Sequence, residues 1–251
     1  MFTTYSALRE PVVLSADTVV ILPLGAMESH GPHLPLGTDG TIAELLLDRA
    51  SERHTGPTTM LRLPLLWLGA SAEHAHNAGT LSTEPEALIA QIVEIGKGLH
   101  RAGARRIVLF NGHGGNIALA RIAILKLRTR FDMLAAHAHW LDFGLPADLT
   151  PPTPVRADVH GGWVETAVML HLAPTLVDMK TARAQPARPP SPLLSPAGPI
   201  AWGWRSDDLG GSWIGNPELG TAEIGHKLAN HAADKLNTLV NELAAAPWPS
   251  R

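Results

Sequence analysis

The hydrophobic positions of this chain fall alternately into short unbroken runs and longer runs of helical period. Thr18 to Leu24 (TVVILPL) is a continuous apolar run, the pattern of a buried strand. Asp39 to His54 then carries Ile42, Leu45, Leu46 and Arg49 at helical spacing, and after a Thr-Gly-Pro break Leu61 to Leu66 reads as a second strand. Pro85 opens a helix with Leu88, Ile92, Ile95 and Leu99 on one face and Gly103 near its end, and Arg106 to Phe110 is a third strand. A helix over Gly115 to Phe131, a strand over Met133 to His139 and a helix over Gly161 to Leu172, stopped by Pro174, follow. An amphipathic helix over Pro217 to Ala246 closes the order. This alternation predicts an α/β fold with a parallel sheet covered on both faces.

Two segments break the rhythm. Ala184 to Pro199 is proline-rich with no apolar period, which fits a long loop or an oligomer contact rather than a linker. Trp202, Trp204 and Trp213 sit in the Gly-rich stretch beyond it, which fits either a surface loop at a subunit contact or a pocket lid. The 251 residues, 45% of them apolar, are ordinary for one domain spanning 1–251.

Charge and composition narrow the chemistry. A net charge of -3 with scattered Lys and Arg offers no basic face, so no nucleic-acid partner is expected. The N-terminal MFTTYSALREP lacks a basic segment followed by an apolar run, and no stretch approaches membrane-spanning length, so the expectation is a cytoplasmic protein with no membrane partner. The absence of cysteine excludes disulfides, a thiol nucleophile and thiolate metal sites. Any metal must be held by His, Asp and Glu, and the chain has thirteen histidines.

Those histidines cluster at strand ends. Glu28-Ser29-His30-Gly31-Pro32-His33-Leu34-Pro35-Leu36-Gly37-Thr38-Asp39 follows the first apolar run, where open α/β sheets place their sites. Its prolines and glycines forbid a regular helix, so Asp39 can return to the place at which Glu28 and His30 point. Asn111-Gly112-His113-Gly114-Gly115-Asn116 begins where the third strand stops. Its glycines allow close backbone approach, and it lacks the Lys of a phosphate loop and the GxGxxG pattern. His160-Gly161-Gly162-Trp163-Val164-Glu165-Thr166 enters a helix, with Glu165 about one turn in and able to face back toward His160. Three such loops converge only on one edge of a parallel sheet. His33, Glu73, His74 and His76 are further candidates for the pocket or for supporting the ligands.

The segments LPLGAMESHGPHLPLGTD, FNGHGGN and HGGWVETAVML, with the late GNPELGTAEIGHK, resemble the creatininase (creatinine amidohydrolase) family in order and over nearly the whole chain. The resemblance implies a three-layer α/β/α hydrolase, usually a homohexamer, with two divalent ions per subunit, zinc or manganese, at the carboxyl edge of the sheet. It implies that Glu28 and His113 bind one ion and His30 the other, that Asp39 bridges them, and that His160 is catalytic. Creatininase has a Glu where this chain has Gly115, so Glu165 is expected to complete the second ion's shell and to take part in catalysis. Trp140 resembles one of two tryptophans that close the creatininase pocket, and the other is replaced by Arg156, which would admit a negatively charged substrate. With His74 these form the expected substrate-binding set.

The implied reaction is hydrolysis of a non-peptide C–N bond in a small cyclic amide or formamide by metal-activated water, His160 donating a proton to the departing nitrogen. The alternatives are creatinine amidohydrolase itself, a hydrolase trimming a short peptide in redox-cofactor maturation, and a non-catalytic metal-binding relative.

Overall fold

In the computed structural model, residues 3–196 and 200–248 are described. Their strands are β1 (Thr3–Thr4), β2 (Val19–Leu24), β3 (Met60–Arg62), β4 (Arg106–Asn111) and β5 (Leu134–His139), joined in parallel in the order β1-β3-β2-β4-β5. The helices are α1 (Thr38–Arg53), α2 (Pro85–Arg101), α3 (Ile117–Phe131), α4 (Trp163–Leu172), the short α5 (Ser206–Leu209) and α6 (Ala222–Ala245).

Because side chains alternate across a strand, β2 and β4 each feed two cores. Val19, Ile21, Val108 and Phe110 enter one core beneath α1, α4 and α6, while Val20, Leu22, Ile107 and Leu109 enter the other beneath α2 and α3. The result is the three-layer α/β/α arrangement, and the continuous apolar runs of β2 and β4 are the consequence of burial on both faces.

The chain steps from β2 outward to β3, then crosses back over β2 to reach β4. This reversal opens a crevice at the carboxyl ends of β2 and β4, the place where open α/β sheets bind ligands. The two strands are in register from Val19 opposite Arg106 to Leu24 opposite Asn111, so the loops after Leu24 and Asn111 leave the sheet side by side.

Several boundaries differ from the sequence reading, each for a local reason. The second predicted strand is limited to Met60–Arg62, and Leu66 keeps only an isolated bridge to Leu24. Helix α3 starts at Ile117 because Gly114–Asn116 first makes a 3-10 turn. Gly161 has φ 60° and Gly162 is extended, so α4 begins at Trp163. The closing helix starts at Ala222, where the Thr221 side chain accepts a hydrogen bond from Ile224 N, after a separate 3-10 turn over Pro217–Leu219. The Ala184 to Pro199 segment is tied down where Gln185 pairs with Gly215 and Arg188 N donates to Leu209 O, while residues 197–199 of it, and residues 1–2 of the N-terminal segment, lie outside the described residues. No described helix is long and apolar enough to cross a membrane.

Candidate metal centre

The loop after β2 is closed by Glu28 N donating to Leu36 O (2.9 Å), which turns the chain back into α1. Within it, His30 Nδ1 lies 3.1 Å from the Glu28 carbonyl, so Nδ1 donates there and Nε2 is the nitrogen turned toward the site. That Nε2 is 3.2 Å from Asp39 Oδ1, in the first turn of α1. Across the crevice, Asn111 brackets its own loop: its Nδ2 donates to His113 O (2.7 Å) and its Oδ1 accepts from His113 N (3.1 Å). Gly112 is required there, because a Cβ at this position would collide with the Asp39 carbonyl. His113 Nε2 meets Ala70 O at 3.0 Å, which leaves Nδ1 facing Asp39 Oδ2 (3.2 Å) and Glu28 Oε1 (3.4 Å).

The third loop completes the ring. His160 Nε2 donates to Ser29 O (2.7 Å), and its Nδ1 lies 3.5 Å from Glu28 Oε1. His74 stacks on His160 with ring centroids 4.0 Å apart and places Nε2 3.7 Å from the same oxygen. Glu165 accepts from Gly161 N at Oε2 (2.6 Å) and points Oε1 at His30 Nε2, 4.0 Å away. Asp158 holds the start of α4 by accepting from Trp163 N and Val164 N, both at 2.9 Å.

The donor set fits a metal. Among the described residues, both oxygens of Glu28 and Oδ2 of Asp39 are buried without a hydrogen-bond partner, a costly state that a cation would relieve. Among the described residues, three groups have ligand atoms mutually close enough to share an ion: Glu28, His30 and His160; Glu28, Glu73 and His113; and His30, Asp39 and Glu165. Their ligand atoms are nitrogen and oxygen only, suited to zinc or manganese.

The electrostatics are those of interleaved opposite charges. Burial alone would lower the basicity of His30, yet the Asp39 charge and hydrogen bond, with Glu165 and Glu28, push it up to about 10. His113 also rises to about 10, burial being outweighed by Glu28 and Asp39. Burial raises Glu28 and Glu165, whereas Asp39 is driven well below the usual carboxylate range, His30 and His113 overcoming its burial. His160 goes the other way, lowered to about 4 by burial and by the neighbouring His30 charge. His74 is lowered strongly, by burial and then by the neighbouring imidazoles of His160, His30 and His113.

A sequence profile of the creatininase family, described as creatinine amidohydrolase, matches residues 3–240. The chain belongs to the creatininase family. It is an amidohydrolase by that membership. The mycofactocin precursor peptide peptidase of Mycobacterium tuberculosis is 37% identical over 190 residues, covering 73% of this chain and 69% of the relative. The creatinine amidohydrolase of Pseudomonas putida is 32% identical over 186 residues, covering 68% and 70%. A solved tryptophan-to-alanine mutant creatininase superposes with a TM-score of 0.80 at 25% identity, covering 98% of this chain and all of that one.

In this creatininase-family chain, Glu28, His30, Asp39, His74, His113, His160 and Glu165, all singled out in the sequence, meet in one cluster. Trp140 and Arg156 do not join it. Trp140 is 2% exposed and packed in the core with α1, α4 and α6, and Arg156 is exposed on a 3-10 turn, making no hydrogen bond or ion pair among the described residues. His33 donates through Nε2 to Gly161 O (2.8 Å) and so braces the third loop. Trp204 lies edge-on to His74, with centroids 6.0 Å apart, and Trp213 packs against His33 and Gly31, so the Gly-rich segment covers the site loops. Sequence reasoning missed Asp158 and Asn116. The signal for Asp158 was an acidic residue just ahead of a helix start; Asn116 ties Gly25 O to Ala70 N across loops distant in sequence and carries no such signal.

Proposed function

We propose that this chain hydrolyses an amide C–N bond with two divalent ions, zinc or manganese, and that its substrate is a short peptide. One observation carries the two-ion reading: Asp39 turns Oδ1 toward His30 and Oδ2 toward His113, one oxygen for each half of the cluster. Glu28 and His113 would hold the first ion, His30 and Glu165 the second, with Asp39 between them. Ions bound there supply an activated water and polarise the amide carbonyl.

The chain's own residues manage the protons. His160 is neutral near pH 7, its pKa lowered to about 4, and with Nε2–H engaged by Ser29 O it offers a lone pair at Nδ1 toward the site. It takes a proton there from the attacking water and passes it to the leaving nitrogen, which departs poorly without one. Holding His30 and His113 through backbone carbonyls turns their other nitrogens toward the place where metal would bind, once their protons are displaced.

The peptide reading is supported by the Mycobacterium tuberculosis relative, which exceeds the creatinine amidohydrolase in identity, and by Gly115, which cannot supply the carboxylate that creatininase has at that position. A small cyclic amide or formamide is the competing class. Self-association, as the family resemblance implies, is supported by Leu36, Trp67 and Leu81, exposed at 39%, 40% and 57% beside the first loop.

The test is turnover of creatinine, of formamides and of short peptides by the metal-stripped protein and by protein reloaded with Zn2+ or Mn2+. Peptide cleavage that appears only on reloading is expected. Turnover of creatinine or a formamide with no peptide cleavage overturns the substrate class, and equal activity without metal overturns the mechanism.

A further inference from the structure

We propose that Glu73 is a positioning residue for His113, and that glycine at position 115 exists to make room for its carboxylate. The two nitrogens of His113 face different surroundings. Nδ1 meets Asp39 and Glu28, and Nε2 meets Ala70 O at 3.0 Å, Ser71 Oγ at 3.4 Å and Glu73 Oε1 at 3.7 Å. An imidazole that binds an ion through one nitrogen gives its other N–H to an acceptor, which fixes the ring and makes the ligand more basic. The Ala70 carbonyl is that acceptor, and the Glu73 carboxylate adds a negative charge behind the same N–H. Glu28, Glu73 and His113 have ligand atoms close enough to share an ion, but Glu73 Oε1 approaches the ring at Nε2, the nitrogen turned away from Asp39, and that contact is the positioning one.

The space it uses belongs geometrically to residue 115. A Cβ on Gly115 would stand 2.5 Å from Glu73 Oε1 and would also collide with His113 Nε2 and Ala70 O. Any side chain at 115 displaces the whole set of groups behind His113. Glu73 itself is delivered by the 3-10 turn Ala72–His74, whose next residue, His74, faces Glu28, so one short turn contacts both Glu28 and His113. Its side chain is partly exposed at 19%, and replacing it leaves the buried core intact.

This inference rests on Glu28 and His113 being ligands, and the experiment separates the two. Zn2+ and Mn2+ are titrated directly into metal-stripped wild type, Glu73→Ala, Glu73→Gln and Gly115→Ala, with stoichiometry and affinity read by calorimetry against a competing chelator. The His113 tautomer is followed by nitrogen NMR. Expected for Glu73→Ala and Gly115→Ala is a loss of about 10- to 100-fold in the affinity of one ion, the other unchanged, with partial recovery in Glu73→Gln, which keeps an acceptor without the charge. A wild type that binds no ion overturns the ligand assignment and this inference with it. A wild type that binds while Glu73→Ala binds equally well, or a loss shared by both ions, overturns this inference alone.

Discussion

Glu165 divides its carboxylate between two tasks: Oε2 accepts from Gly161 N at 2.6 Å, and Oε1 is left 4.0 Å from His30 Nε2. The backbone bond aims the second oxygen, so Glu165 would meet an ion beside His30 in a fixed orientation. Glu165→Gln keeps an oxygen for Gly161 N and loses the charge. The ion beside His30 should weaken by at least tenfold while the ion beside His113 is retained, measured as metal per subunit after dialysis against a weak chelator.

His160 should separate binding from turnover. Its Nδ1 faces the site and its Nε2 is committed to Ser29 O. His160→Gln removes the proton carrier, so kcat should fall about 10²- to 10⁴-fold with KM changed only a few-fold and metal content preserved. A variant with wild-type kcat excludes His160 from proton transfer.

Protons and metal compete for His30 and His113. Both are raised to about 10 in the metal-free protein, so each carries a proton at neutral pH that an incoming ion must displace. Apparent affinity should therefore climb with pH across 7 to 9, by about tenfold per unit for each proton released. Calorimetry in buffers of different ionisation enthalpy counts those protons. For the metal-free protein the sign reverses. The ion pairs of His30 and His113 stabilise the fold fully below the ordinary histidine range, and that contribution is lost as pH rises through about 10, so its Tm should drop over this interval.

Asp158 anchors the helix that carries Glu165. Asp158→Ala strands Trp163 N and Val164 N at a largely buried helix start and should cost about 1–2 kcal/mol, read from denaturant unfolding. Because His160 and Glu165 flank that helix start, the same variant should also lower metal retention.

The order of elements was legible in the chain because burial on both faces leaves apolar runs at Val19–Leu24 and at residues 107–110. The convergence of Glu28, His113 and His160 followed from their places at strand ends and helix starts. What the sequence concealed depends on pairings between distant segments. Thr3–Thr4 is a strand only because Leu61–Arg62 lies beside it, and Asn116 matters only because Gly25 and Ala70 meet across the crevice. The burial of Trp140 is of this kind too: its resemblance to a creatininase pocket tryptophan implied a pocket wall, yet it is packed in the core with residues of α1, α4 and α6.

The most direct measurement is bound metal per subunit in wild type and in Asp39→Asn, by mass spectrometry of the intact native protein and by elemental analysis. Asp39 places one oxygen on each half of the cluster. Two ions in wild type, with both weakened together in Asp39→Asn, is the expected result. A single ion in wild type, or loss of only one ion in the variant, contradicts a site in which Asp39 joins two metals.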